Sequence, residues 1–504
     1  MRETEPHVAA PRKASSPERT RLKLGHRRRL LVLVICSMSL LIVGLDTTIV
    51  NVALPAIHKS LHASLSELQW TIDAYTLVLA SLMMLAGSTA DRVGRRRTFQ
   101  TGLTVFSLGS LSCALAPSLG ALVAARVLQA IGGAMLNPVA MSIIRNVFED
   151  PRERARAIGA WGAMFGISFA LGPLVGGALV DSVGWRAVFL VNVPVGMIAI
   201  ALTALFVPES RAARPRRIDP VGQLLVIVAL ASLTYAIIEG GRAGWLSAKI
   251  VGLFTLSIGC FVALVRYELR REEPLLEVRF FRSVPFAGAS AIAICVFAAI
   301  GGFLFLNTLY LQGVRGLSAF HAGLYTLPMA GMILVFSPVS GRLVGRLGAR
   351  PSLVGGGCAL LAGGLLLTRL TATTPVGYLF LAYVIFGLGS GLVNPPITNT
   401  AVSGMPPSQA GVAGAIASTS RQVGMTLGVA ILGAIAGAGI TATIGKGFAE
   451  ATHSGWWIIA ALGLSVVVLG FLTTTAWADE TARATARRFR EGHGRYEPGG
   501  LPAG

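Results

Sequence analysis

Gly87-Ser88-Thr89-Ala90-Asp91-Arg92-Val93-Gly94-Arg95 closes a long apolar run with a basic turn. A degraded copy, Gly341-Arg342-Leu343-Val344-Gly345-Arg346-Leu347-Gly348-Ala349-Arg350, follows 254 residues later. A second pair keeps nearly the same spacing: Gly132-Gly133-Ala134-Met135-Leu136-Asn137-Pro138 returns 257 residues on as Gly389-Ser390-Gly391-Leu392-Val393-Asn394-Pro395. Two landmarks at nearly one offset imply the duplication of a membrane-embedded half. Parallel repeats of this size build carriers whose substrate route runs between the halves.

Composition places the chain in the same class. Of its 504 residues, 53% are hydrophobic and 13% charged, and the mean hydropathy of +0.68 is far from that of a soluble domain. The apolar residues gather in fourteen runs, at 30–54, 69–90, 99–116, 119–141, 157–180, 187–207, 220–238, 248–265, 286–309, 321–341, 352–368, 376–396, 411–439 and 455–476. Such runs are long enough to cross a hydrocarbon core of about 30 Å. Backbone groups in lipid must be satisfied internally, so the runs are expected to be helices, and the two-residue alternation of a membrane barrel is missing. The expected fold is all-α and polytopic, with a six-helix bundle over 30–207, an inserted helix pair with its flanking loops over 208–285 and a second six-helix bundle over 286–476.

A net charge of +20 raises the possibility of nucleic acid, but its distribution argues otherwise. With the N-terminus inside and fourteen crossings, 34 of the 43 Lys and Arg fall in inner segments, seven in outer loops and two within helices. That is a strong positive-inside bias, so the basicity reflects topology and attraction to anionic lipid. Both termini are expected in the cytoplasm, with the protein in the cell membrane and no nucleic-acid partner. Residues 1–29 and 477–504 read as cytoplasmic, disordered polar tails, the second with an Arg-rich start at Arg483–Arg490 suited to a membrane surface. The five cysteines, at 36, 113, 260, 295 and 358, all lie inside spans, which argues against disulfides and against a zinc site.

Five motifs in order bring a family into view. Gly87…Asp91-Arg92-Val93-Gly94-Arg95 resembles the loop 2–3 signature of the major facilitator superfamily. Leu45-Asp46-Thr47-Thr48-Ile49-Val50-Asn51-Val52-Ala53-Leu54-Pro55 resembles the helix 1 motif of its fourteen-helix drug:proton antiporters. Arg126-Val127-Leu128-Gln129 with Gly132-Gly133 is similar to the helix 4 motif, and Gly172-Pro173-Leu174-Val175-Gly176-Gly177 to the helix 5 antiporter motif. Trp185-Arg186-Ala187-Val188-Phe189-Leu190-Val191-Asn192-Val193-Pro194 resembles the entry into helix 6. The resemblance implies export of small toxic compounds against protons, by a chain that functions as a monomer. It also implies a conformational switch at Gly87, Asp91, Arg92, Gly94 and Arg95, and a seal between the halves at Gly172, Pro173, Gly176 and Gly177. The second copy puts Gly345 where the first has Asp91, so any acidic latch belongs to one half only.

Only Asp46, Asp73, Arg126 and Arg421 place a charge well inside the spans. A charge at a helix centre costs at least about 2.5 kcal/mol, which makes each a functional candidate. Asp46 lies about 24 Å up its helix from Arg29, and Arg126 about 10 Å down from the outer side, at about 1.5 Å per residue. In a core of about 30 Å the two sit at similar height, so Asp46 is the expected coupling carboxylate and Arg126 its counter-charge. Asp73 is expected to face an outer vestibule. Arg421 has no acid in its own half; either carbonyls or polar neighbours such as Gln422 satisfy it, or it faces the cavity or an acid of the first half, and Arg421, Gln422, Asp73 and Gln129 are possible cavity residues. Trp161, Phe165, Phe169, Phe303 and Tyr325 are aromatics able to line such a cavity, and lipid-facing packing explains most of them equally well. No catalytic set, metal cluster or phosphate-binding Gly-x-x-x-x-Gly-Lys-Ser/Thr loop is present. The expected partners are a small-molecule substrate, protons and the bilayer, with no cofactor.

Overall fold

The computed structural model describes residues 25–212, 217–271, 273–403, 410–438 and 447–494. The first 24 and last ten residues of the expected tails, and Arg214 and Arg216 of the inner loop, lie outside the described residues. All described regular structure is helical, and every one of the fourteen apolar runs is a helix. The first half comprises α1 (His26–Leu61), α2 (Leu65–Val93), α3 (Arg95–Ala114), α4 (Leu119–Val147), α5 (Pro151–Ser182), the short α6 (Ala187–Leu190) and α7 (Asn192–Phe206). The inserted pair is α8 (Pro220–Ala243) and α9 (Ala248–Glu268). The second half comprises α10 (Val284–Leu309), α11 (Ala319–Leu347), α12 (Arg350–Leu367), α13 (Val376–Val402), α14 (Ala410–Ala438), α15 (Gly447–Ala451) and α16 (His453–Leu472), and α17 (Ala476–Gly494) closes the chain.

Twelve spans among the described residues are long and apolar enough to cross a membrane. The other two expected crossings, α3 and α14, have 20 and 29 residues. They carry more polar side chains, with Gln100, Thr101 and Thr104 on α3 and Ser418 to Gln422 on α14.

The duplication is visible in the packing. In the first half α1 lies on α5, α2 on α4, α3 on α4 and α3 on α7. The second half repeats each pairing about 255 residues later: α10 on α14, α11 on α13, α12 on α13 and α12 on α16. The seams between the halves obey the same symmetry, α2 against α14 and α5 against α11. The inserted α8 packs on α9 and lies against both α2 and α14, beside the first of those seams.

The C-terminal segment corrects an expectation. Read as a disordered tail, it is helical over Ala476–Gly494. Ala478, Ala482 and Thr485 are buried, Thr481 Oγ1 accepts from Val284 N at 3.0 Å, and Phe489 meets Phe280 edge-on at 5.1 Å. Buried positions three and four apart make one face of a helix, so docking under α10 supplies the order that the polar composition alone does not.

Candidate functional site

Asp46, in the middle of α1, is fully buried, and Arg126 of α4 is 1% exposed. Arg126 Nη1 donates to Asp46 Oδ2 at 2.5 Å. Gln129, one turn further along α4, donates from Nε2 to Asp46 Oδ1 at 2.8 Å and to Ser110 Oγ at 2.6 Å. Asn192, at the start of α7, donates from Nδ2 to the same Asp46 oxygen at 3.0 Å. Arg126 further donates to Gln129 Oε1 at 2.6 Å and, from Nε, to the Thr71 carbonyl at 3.1 Å, while its guanidinium lies 4.0 Å from the centre of the Tyr75 ring. Asp46 therefore receives three donors from two neighbouring helices, the pattern of an ionised, acceptor-only carboxylate. Depth along the helices placed Asp46 and Arg126 at one level, and the structure brings them into contact. Ser110 and Asn192 were not singled out. Asn192 carried a signal, as the one amide in the helix 6 motif; Ser110 carried none.

The α5 glycines sit at two surfaces. A methyl group added at Gly172 would strike Thr48 of α1, and one at Gly176 would lie 2.6 Å from Ile49. Gly177 faces the other half, where an added methyl would lie 2.5 Å from the Ala319 carbonyl oxygen and from Phe320 Cα. Pro173 presents its carbonyl against Gly323 of α11. The motif is thus a smooth surface that lets α5 approach α1 on one side and α11 on the other.

Hydrogen bonds between the halves gather toward the end opposite the termini. Gln69 Nε2 donates to the Val429 and Ala430 carbonyls at 3.1 and 2.9 Å, and Gln312 Nε2 donates to the Val52 carbonyl at 2.9 Å. Deeper in, the Thr426 and Thr76 hydroxyls bond at 2.8 Å. Toward the terminus end, Gly159 and Gly162 of α5 and Gly341 and Gly345 of α11 have nothing among the described residues within 4 Å of an added methyl. The described bonds between the halves thus concentrate at the end opposite the termini, the closed end, and thin out toward the terminus end, the open end, where Met84 of α2 still packs against the second-half cluster that holds Ala401, Ala413 and Ile416.

The repeated loop lies at the open end. Gly94 adopts φ 126°, a backbone conformation that disfavours any side chain. Asp91 pairs with Arg95 across that turn, at 2.9 Å from Nη2. Glu209, which sequence reasoning passed over, accepts from Arg96 N and Arg97 N at 3.1 and 3.3 Å and caps the first turn of α3. The acidic side chain of the motif is bonded within its own half here. Arg92 projects from the same turn and is exposed.

The profile of the Major Facilitator Superfamily matches residues 36–429. The chain belongs to this superfamily. Among its relatives is the multidrug resistance protein Stp of Mycobacterium tuberculosis (strain CDC 1551 / Oshkosh), 40% identical over 424 residues that cover 83% of this chain and 78% of that protein. The tetracenomycin C resistance and export protein of Streptomyces glaucescens is 38% identical over 401 residues, 79% of this chain and 74% of that one. A bacterial homolog of the human lysosomal transporter Spinster, solved in an inward-facing and occupied conformation, aligns over 94% of this chain and 100% of its own. Its TM-score is 0.62 at 19% identity, a likeness of fold alone.

Within this major facilitator fold three sequence readings are decided. Asp73 does not open onto a vestibule: it is fully buried, and neither carboxylate oxygen has a hydrogen-bond partner among the described residues. It shares the α2 face of Gln69 and Thr76, both bonded to α14, so the second half covers it. Arg421 is bonded by polar neighbours, as expected, though these are Thr398 Oγ1 at 2.5 Å and Ser418 Oγ at 3.5 Å rather than Gln422, with Phe297 5.8 Å from its guanidinium. Gln422 Oε1 and Arg421 Nε are buried with no hydrogen-bond partner among the described residues. Phe303, an expected cavity aromatic, is wholly buried inside the second half, stacked on Phe386 at 4.6 Å and edge-on to Trp456 at 6.0 Å.

Proposed function

We propose that this multi-pass membrane transporter exports small amphipathic toxic compounds, such as antibiotics or dyes, in exchange for protons. The observation that supports it most is the buried Asp46–Arg126 pair, held by Gln129 and Asn192. An ion pair taken out of water is expensive, and breaking it by removing one partner costs about 3–5 kcal/mol. A carrier that protonates Asp46 neutralises one partner reversibly and can use that cost to favour a different packing of the halves. Oδ1 already accepts two donors and Oδ2 only one, so an arriving proton would rest on Oδ2 and weaken the bond from Arg126. In this reading the arrangement seen is the one after proton release. The names of the relatives, a multidrug resistance protein and an antibiotic export protein, support the substrate class.

The positive-inside bias supports a cell-membrane location with both termini in the cytoplasm, so the open end faces inward. Fourteen crossings follow if α3 and α14 span beside the twelve apolar helices, and each has the length to do so. Function as a monomer, with no cofactor and no enzymatic step, completes the proposal. A carrier dedicated to one secondary metabolite is the second reading, favoured by the tetracenomycin C export protein among the relatives.

Substrate-induced proton movement in proteoliposomes tests the coupling. Asp46→Asn should abolish uphill export driven by a pH gradient while leaving substrate binding, because a neutral amide mimics the protonated carboxyl in shape and charge. Wild-type proton exchange from that variant would move the coupling site elsewhere, with Asp73 next. A panel of antibiotics and dyes in an expressing strain separates broad from dedicated export.

A further inference from the structure

Asp181, the next-to-last residue of α5, reaches across the α5–α11 seam at the closed end. Its Oδ1 accepts from Ala319 N at 3.1 Å and its Oδ2 from Phe320 N at 2.9 Å. Ser318 Oγ accepts from His321 N at 3.4 Å. The first three backbone N–H groups of α11 are therefore all satisfied, and two of them by the other half of the protein. Helix N-termini leave such donors unpaired and carry partial positive charge, so a carboxylate is the favoured partner.

The symmetry-related seam is built otherwise. There α2 begins with its own capping box, in which Ser64 N donates to Glu67 Oε2 at 2.7 Å. An added methyl at Gly433 or Gly437 of α14 would lie nearest the Gln69 or Leu65 side chain of α2. Of the two seams, one has a helix end capped at Ser64 N from within its own half and the other a helix end whose Ala319 and Phe320 N–H groups are capped by the opposite half. Close packing surrounds the second, with Gly177 against Ala319 and Phe320, and Gly323 against the Pro173 carbonyl.

We propose that Asp181 is a gating residue for transport: the acceptor that holds the end opposite the termini closed and must release the α11 N-terminus before that end opens. The proposal rests on the reading that the two halves alternate. It assigns the closed end its own acidic contact, separate from the Asp91 loop at the open end. Opening hands the Ala319 and Phe320 N–H groups to water, so the contact biases the balance between the two states without touching substrate.

Spin labels at Val183→Cys and Val376→Cys, with the five native cysteines replaced by alanine, report the separation of the halves at this end in the full-length protein. Asp181→Ala should raise the separated fraction about fivefold, the effect of losing one helix cap. Asp181→Asn, which keeps one acceptor oxygen and loses the charge, should fall between. Glu67→Gln, which weakens a cap inside one half, should leave the distribution unchanged. If the parent protein separates on acidification or substrate addition and Asp181→Ala matches it throughout, Asp181 is no gate, though the halves still alternate. If no variant or condition separates the labels, the halves do not part here, and the alternating reading falls together with the proposal.

Discussion

At the scale of single residues, the argument turns on how many donors a buried carboxylate can hold. Asp46 has three, and one of them carries a full charge. Arg126→Ala should therefore stop export by a different route from Asp46→Asn: it leaves a buried anion with only neutral donors. Arg126→Lys keeps the charge, loses the second N–H donation and should restore part of the rate. Initial rates of pH-driven dye export, with protein level measured alongside, check both. The Asp46–Arg126 relationship was legible because depth along a straight helix follows from residue count alone. Its other partners were not, since the crossing that brings Ser110 of α3 and Asn192 of α7 to Asp46 is a tertiary fact. Asp73 was misread for a related reason: its height on α2 was sound, but nothing in the local sequence told which face α14 would cover.

At the scale of elements, hydropathy was a sufficient guide because lipid leaves the backbone no alternative to helix. All fourteen runs accordingly became helices, and the helix missed, α17, is the one whose order depends on docking under α10 rather than on lipid. The α5 glycines show how finely such helices are fitted. Gly176 meets Ile49 of α1, whereas Gly159, on the same helix nearer the termini, meets nothing. Gly176→Leu should cost about 1–3 kcal/mol through overpacking and lower both thermal stability in detergent and the yield of folded protein. Gly159→Ala should melt with the parent protein. Equal melting of the two variants would mean that α5 does not need its close approach to α1. The resemblance implied a seal between the halves at Gly172, Pro173, Gly176 and Gly177, but only Pro173 and Gly177 meet α11 of the other half, whereas Gly172 and Gly176 pack against α1 of their own.

At the scale of the whole molecule, one duplication has produced two halves that pack alike but are not chemically equivalent. The helix pairings repeat about 255 residues apart, whereas the acids do not: Asp91 has Gly345 as its counterpart. Asp91 bonds to Arg95 within its own half, at the end where fewer described bonds join the halves. If the opposite state closes this end, Asp91 is the acidic group free to exchange that partner for one across the gap. Asp91→Asn should then slow export strongly while membrane insertion and protein level stay near normal, because the residue is part of no core. Gly345→Asp should be tolerated or mildly inhibitory, since a side chain there meets open space in this state. Export assays paired with quantitative immunoblots decide between them. Wild-type export from Asp91→Asn would remove the loop from the cycle, and a severe defect from Gly345→Asp would show that the second copy also closes against a neighbour. The same membrane frame fixes what reporter fusions must show. Fusions at residue 504 and within 266–285 should report cytoplasm, and one near 241 the outer side. A periplasm-active reporter working at residue 504 would require, with the N-terminus inside, an odd number of crossings, and would invert the side of every segment after the helix that fails to cross.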